Sequence, residues 1–235
     1  MRTNIKKLSP SIMCARNLLN IKQDIDIFKR TGIDTIHVDI MDGHFVPNVT
    51  FGPDIVNVLS NSRKSNEYAL DIHMMVENPE MLLARMNLQQ NDIVTIHSEI
   101  DKEILESTIA YLHEKNIKVG LALNPKTEFE DIKAYLDDID LILVMFVEPG
   151  FAGARPMPKV INKVEEIAKY LEAYNYNDIL ISVDGGISLE RAIDCSKLGA
   201  NIFVGGTSSI YGKGSALSNK KFTDNIMTFC KTLNS

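Results

Sequence analysis

Thr35-Ile36-His37-Val38-Asp39-Ile40 runs directly into Met41-Asp42-Gly43-His44, and the alternation in this stretch decides the fold. Successive side chains of a β-strand point to opposite faces, so Ile36, Val38 and Ile40 share one side while His37, Asp39 and Met41 share the other. Seven more short runs of β-branched or aliphatic residues surround it: Ile5–Met13, Ala69–Met74, Ile93–His97, Lys118–Leu123, Leu141–Met145, Ile179–Val183 and Asn201–Val204. Such composition suits strands buried on both faces.

Between the strands lie segments with helical spacing. Leu18–Arg30 places Leu18, Ile21, Ile25 and Phe28 at steps of three or four, and Ile104–Lys115 does the same with Ile104, Ile109 and Leu112. Pro158–Tyr174 opens on proline and sets Val160, Val164, Ile167 and Leu171 on one stripe. Eight strands, each followed by a helix, predict a parallel sheet, and a chain of 235 residues favours its closure into one (β/α)8 TIM barrel domain over residues 1–235. The competing open, doubly wound sheet would carry a glycine-rich fingerprint after its first strand, where this chain has Ser9-Pro10-Ser11-Ile12-Met13.

Composition narrows the function. With 45% hydrophobic and 24% charged residues the chain has the make-up of a soluble globular protein. A net charge of -6 argues against nucleic acid or an anionic membrane as partner, so a bound phosphate must be held by local geometry. Cys14, Cys195 and Cys230 are odd in number and widely spaced, as expected of reduced thiols in a cytoplasmic enzyme. No run approaches the roughly 18 apolar residues of a membrane span, and no apolar segment follows Arg2, Lys6 and Lys7 to make a secretory signal.

In such a barrel, reacting groups stand at the carboxyl ends of strands. Strand two ends on the His37–Asp39 pair, strand three on Asp71-Ile72-His73-Met74 and strand seven on Val183-Asp184-Gly185-Gly186. His73 can face the same lumen as His37 and Asp39, and Asp184 can enter from across it. Two imidazoles and two carboxylates converging there make a plausible divalent-metal site, the alternative being a buried His–Asp hydrogen-bond network without metal. His97, with Ser98 and Glu99, ends strand four and could orient a ligand. His44 reads as gate or turn residue, and His113 as a solvated helix residue.

Glycine-rich loops follow strands six, seven and eight: Pro149-Gly150-Phe151-Ala152-Gly153, Asp184-Gly185-Gly186 and Gly205-Gly206-Thr207-Ser208. Any one of them alone would be a tight turn; three together predict main-chain N–H groups gathered on a phosphate. Met13, Met41, Met75 and Met145 stand at or just past strand ends. Methionine there commonly fills core, but a dry, soft lining would also shield a carbanion-like intermediate from water.

Taken together, Ser9-Pro10-Ser11, His37 through Asn48, Asp71 through Pro79, Leu123-Asn124-Pro125, Pro149 through Gly153 and Val183 through Gly186 resemble the ribulose-phosphate 3-epimerase family, from about Leu8 to Tyr211. The resemblance implies a (β/α)8 barrel and one divalent ion (Zn, Fe, Mn or Co) held by His37, Asp39, His73 and Asp184. It implies Asp39 and Asp184 as the acid/base pair, and Ser11, His73, Met41, Met75 and Met145 around the substrate. Gly150, Phe151, Ala152, Gly153, Gly185, Gly186, Gly206, Thr207 and Ser208 would form the phosphate-side wall. It implies, too, a homo-oligomer, dimer or hexamer.

The implied chemistry is C3 epimerisation of a phosphorylated ketose through an enediolate, by default between D-ribulose 5-phosphate and D-xylulose 5-phosphate. A metal at the carbonyl oxygen would stabilise the enediolate, with one carboxylate on each face of the flat carbon. The sequence departs from the family pattern at Cys14-Ala15-Arg16 (usually Ser-Ala-Asp), at Phe146 (usually Thr) and at Ala154-Arg155. Some positions resemble the allulose 6-phosphate 3-epimerase branch, which leaves a hexulose or heptulose phosphate as the alternative substrate. A metal-free lyase would need a strand-end lysine that is missing beside His37, Asp39 and Asp184. A silent sugar-phosphate-binding barrel would have lost one of the four residues.

Overall fold

The structure is a computed structural model that describes residues 5–64, 67–212 and 217–234. Eight parallel strands form one sheet: β1 (Lys7–Pro10), β2 (Thr35–Met41), β3 (Ala69–Met75), β4 (Ile93–His97), β5 (Lys118–Leu123), β6 (Leu141–Met145), β7 (Leu180–Asp184) and β8 (Ile202–Gly205). Their order is β1-β8-β7-β6-β5-β4-β3-β2, and a bridge between Ser11 and His37 brings β1 to β2. This is the expected barrel, not the open sheet.

The helices are α1 (Ile21–Arg30), α2 (Pro53–Ser62), α3 (Pro79–Leu83), α4 (Lys102–Glu114), α5 (Ile161–Ala173), α6 (Leu189–Lys197) and α7 (Asn219–Leu233). Three differences from the periodic reading have local causes. Leu18–Asn20 is a separate 3-10 turn, because the Asn17 side chain accepts from the Leu19 N–H. Leu18 is therefore exposed, and the buried stripe of α1 is Ile25, Ile27 and Phe28. In α4 the Asp101 side chain accepts from Glu103 and Ile104 N–H, which starts the helix at Lys102. Between β5 and β6 the crossover Phe129–Asp138 is a 3-10 helix instead of an α-helix. Its rise of about 2 Å per residue lets ten residues cover roughly 20 Å of the return path. The α5 stripe of Val164, Ile167 and Leu171 is buried as expected, with Val160 in the 3-10 turn before it. Among the described residues no helix is long and apolar enough to cross a membrane.

Strand alternation sorts the barrel into separate layers. Ile36, Val38, Ile40, Leu70, Ile72, Val94, Val119, Ile142, Ile181 and Phe203 face outward and pack with the helices in one continuous core. Ile93, Ala122, Leu141, Leu143, Met145 and Ile202 close an apolar plug inside the lumen. Above it, Met41, Met75 and Val46, with Met13 and Phe45, form a small apolar rim. The polar residues of the lumen lie between plug and rim.

Candidate active site

Register builds the centre of the site. In the β2–β3 ladder His37 lies beside Asp71 and Asp39 beside His73, and the bridge to β1 sets Ser11 beside His37. All five side chains point into the lumen because each is an even number of residues from its strand neighbour. Asp184 closes the group from β7, three strand steps round the ring from β2. Each of His37, Asp39, His73 and Asp184 offers a ligand atom, and these atoms all lie within 4.8 Å of one another.

The separations fit a shared cation. His37 Nε2 is 3.2 Å from Asp39 Oδ1 and 4.0 Å from Asp184 Oδ2; His73 Nδ1 is 3.4 and 3.8 Å from the same two oxygens. Ligands at about 2.1 Å around a tetrahedral ion stand roughly 3.4 Å apart. His73 Nδ1 is buried and has no hydrogen-bond partner. A buried, unpartnered ring nitrogen facing two carboxylates is what a ligand set for a divalent ion looks like.

Neighbouring groups hold these side chains in place. Asp71 Oδ2 accepts from the Ser9 hydroxyl at 2.9 Å and lies 2.8 Å from His37 Nδ1, which leaves His37 Nε2 for the cluster. Ser11 donates to Asp39 Oδ2 at 2.6 Å, and the Gly185 N–H donates to Asp184 Oδ1 at 2.6 Å. As protein groups alone, the two aspartates are pushed in opposite directions. Burial works against the Asp39 anion, but the neighbouring His37 and His73 hold it well below the usual carboxylate range. Asp184 is pushed up, first by burial and then by the Asp39 charge. Burial opposes charge on His37 as well, yet Asp71 and Asp39 raise it well above an ordinary imidazole.

A cavity opens above the cluster. Its wall includes Ser11, Asp39, Asp184, Met41, Met75 and Met145, together with Gly150–Gly153, Gly185, Gly186, Gly206, Thr207 and Ser208. His37 and His73 are fully buried and stand behind that wall, so His73, expected to touch both ion and substrate, reaches the cluster through Nδ1. Met13, Cys14, Val147, Pro149, Ala154 and Val204 also line the cavity. Met13, expected at the end of strand one, lies with Cys14 in the 3-10 turn Ile12–Cys14, because β1 stops at Pro10. Burial pushes the Cys14 thiol up to about 11, so it is a neutral wall residue.

Two of the three departures from the family pattern near strand six face elsewhere. Phe146 alternates with Met145, points away from the lumen and lies 5.9 Å below the Arg191 guanidinium. Arg155 lines a second, outer hollow with Pro125, Lys159 and Lys163. Only Ala154 reaches the mouth. His44 is a turn residue: its N–H donates to Asp42 Oδ1 at 2.8 Å, and its ring lies 3.1 Å from the Asp42 carbonyl. His113 is exposed and its Nε2 lies 2.9 Å from the Asp138 carbonyl.

The loop after β7 depends on glycine. Gly185 has φ +97°, and a Cβ there would lie 2.7 Å from Val147 Cγ2 and 2.9 Å from the Val147 nitrogen. Its N–H donates to Asp184 Oδ1, and the residue lines the cavity. Gly185→Ala is expected to cost on the order of 1–2 kcal/mol from backbone conformation alone, lowering Tm by roughly 2–8 °C in a thermal melt. An unchanged melt would show that the loop tolerates a side chain.

Comparison with known proteins agrees with the geometry. Residues 7–211 match the Ribulose-phosphate 3 epimerase family. A Bacillus subtilis protein named ribulose-phosphate 3-epimerase is 37% identical over 207 residues, covering 88% of this chain and 93% of its own. A Schizosaccharomyces pombe protein of the same name is 35% identical, covering 88% of each. Among solved structures, tryptophan synthase subunit alpha from Campylobacter jejuni superposes with a TM-score of 0.63 at 12% identity, covering 96% of this chain and 95% of that one. That likeness is one of fold.

Proposed function

The chain belongs to the ribulose-phosphate 3-epimerase family, and from that premise we propose that it interconverts D-ribulose 5-phosphate and D-xylulose 5-phosphate by inverting C3. One observation carries the reading: Asp39 and Asp184 reach the same cavity from β2 and β7, beside two buried imidazoles. A proton next to a ketone is weakly acidic, and inversion requires its removal from one face and its return to the other. Two carboxylates entering from separate strands suit that demand. In the protein groups alone the neighbouring histidines favour the Asp39 anion, while burial and the Asp39 charge disfavour the Asp184 anion, a cost that a bound cation beside both carboxylates would offset.

His37, Asp39, His73 and Asp184 would hold one divalent ion. When bound, that ion would supply electrostatic stabilisation of the charge that develops on the substrate oxygens. Ser11 orients Asp39 through its hydroxyl, and the Gly185 N–H orients Asp184. The methionines give the reacting end a dry wall, and the loops at Gly150–Gly153, Gly185–Gly186 and Gly206–Ser208 receive the phosphate. Phe146 and Arg155 do not line the cavity, so these two departures give no ground for a hexulose or heptulose phosphate, and the name of the relatives supports the pentulose. Function as one barrel domain over residues 1–235, in the cytoplasm and as a homodimer or hexamer, belongs to the same proposal.

The test is proton–deuterium exchange at C3 followed by NMR across pentulose, hexulose and heptulose phosphates. Ribulose 5-phosphate is expected to exchange fastest and to yield xylulose 5-phosphate; failure of all three to exchange would remove the assignment. Dialysis against a chelator is expected to abolish turnover, and Zn2+, Mn2+, Co2+ or Fe2+ to restore it. Full activity in protein shown to be metal-free would refute the metal site.

A further inference from the structure

A line of hydrogen bonds reaches the cluster from behind. His73 Nε2 lies 2.8 Å from His97 Nε2, and His97 Nδ1 lies 2.9 Å from Glu99 Oε2. The other Glu99 oxygen accepts the Asn124 N–H at 2.8 Å and the Thr127 hydroxyl at 2.5 Å. Lys163 of α5 donates to the carbonyls of Asn124 and Pro125, at 2.9 and 3.2 Å, and so holds that loop under Glu99. Both imidazoles are fully buried.

The direction of the line follows from what each atom can do. Two ring nitrogens 2.8 Å apart share one hydrogen, so one donates and the other accepts. Glu99 acts as an acceptor on both oxygens, so His97 donates to it from Nδ1. A neutral His97 is then bare at Nε2, and only a hydrogen on His73 Nε2 satisfies it. His73 consequently has no hydrogen on Nδ1, the atom that faces Asp39 and Asp184. His37 is fixed the other way round: Asp71 takes its Nδ1 hydrogen and Nε2 is offered.

We propose that His97 and Glu99 are positioning residues that set the tautomer of His73, and so select Nδ1 as the nitrogen it presents to the metal. The carboxylate that usually stands next to a metal-binding histidine is here one imidazole further out, on the β4–β5 side of the barrel. The inference rests on the reading of the cluster as a metal site.

The test titrates Zn2+ against a chromophoric chelator in the parent protein and in His97→Phe, His97→Gln and Glu99→Gln. His97→Phe keeps an aromatic ring against Phe45, which packs 4.7 Å from His97 between ring centres, but accepts no hydrogen bond. It is expected to bind Zn2+ about 10- to 100-fold more weakly. His97→Gln, whose side-chain oxygen can accept from His73, is expected to recover most of that loss, and Glu99→Gln to fall between. A role in filling space alone would spare His97→Phe and leave His97→Gln no better.

A second readout needs no variant. In the 15N spectrum of histidine-labelled parent protein, His73 is expected to carry its hydrogen on Nε2 and none on Nδ1. Parent-like Zn2+ affinity in His97→Phe, or a His73 protonated on Nδ1 and bare on Nε2, would overturn the relay. Should the parent itself take up no Zn2+, the metal reading falls, and the nitrogen spectrum decides the relay by itself.

Discussion

Asp39→Asn and Asp184→Asn are each expected to cut net epimerisation on the order of 10²–10⁴-fold, the range that a positioned acid or base contributes, while leaving the fold intact. The local hydrogen bonds favour a well-seated amide. Ser11 donates to one oxygen of Asp39, and the Gly185 N–H donates to one oxygen of Asp184; either donor is satisfied by an asparagine oxygen. The amide nitrogen would then face the cluster, where it can neither take a proton nor return one. Because both residues also belong to the proposed ligand set, turnover is to be measured at saturating metal, with bound metal determined on the same sample.

The sharper readout is exchange in deuterated water. If one carboxylate serves each face, a single variant still removes and returns the proton on the face that keeps its base. One epimer should therefore exchange at C3 without inverting, while the other stays inert. The two variants should show this with the epimers swapped. Loss of exchange from both epimers in one variant would mean that a single carboxylate does all the proton transfer, and near-parental epimerisation in either would remove that residue from the chemistry.

Much of this was legible in the residues because barrel strands obey period two. His37, Asp39 and Met41 had to share a face, and so did Asp71, His73 and Met75; the β2–β3 register then set them side by side. The apolar runs located β4, β5 and β6 to the residue. Asp71 and the His97–Glu99 pair were harder to assign. Asp71 is an inward residue on the strand that supplies His73, but its partner is the histidine of another strand, and only the register reveals it. The contact of His97 with His73 likewise joins neighbouring strands, β4 and β3, where His73 pairs with Thr95 two residues before His97, and again only the register reveals it. Phe146 and Arg155 drew attention as departures from a pattern, although their side chains lie outside the cavity. Position in a motif fixes the neighbourhood of a residue and leaves open the direction of an irregular loop.

Arg16 turns another such departure into a quantitative expectation. Where the family usually carries an aspartate, this chain has an arginine whose side chain lies 2.6 Å from Asp24, both groups being nearly inaccessible, at 7% and 3%. The same guanidinium donates to the Leu217 carbonyl at 2.8 Å and to Asn219 Oδ1 at 3.0 Å, and stacks 4.5 Å over the Phe222 ring. It therefore ties the turn after β1, which carries Ser11 and Cys14, to α1 and to the start of α7. Removing one partner of a buried ion pair leaves an uncompensated charge and costs about 3–5 kcal/mol. Arg16→Met is expected to lose that much in urea unfolding and to melt roughly 6–20 °C lower. Arg16→Met combined with Asp24→Asn removes both charges at similar volume and should recover a large part of the loss, because the penalty lies in the unpaired Asp24 more than in the missing attraction. A single variant within about 1 kcal/mol of the parent would mean that the pair behaves as a solvated surface bridge, and a double variant no more stable than the single one would place the stabilisation in the Leu217, Asn219 and Phe222 contacts.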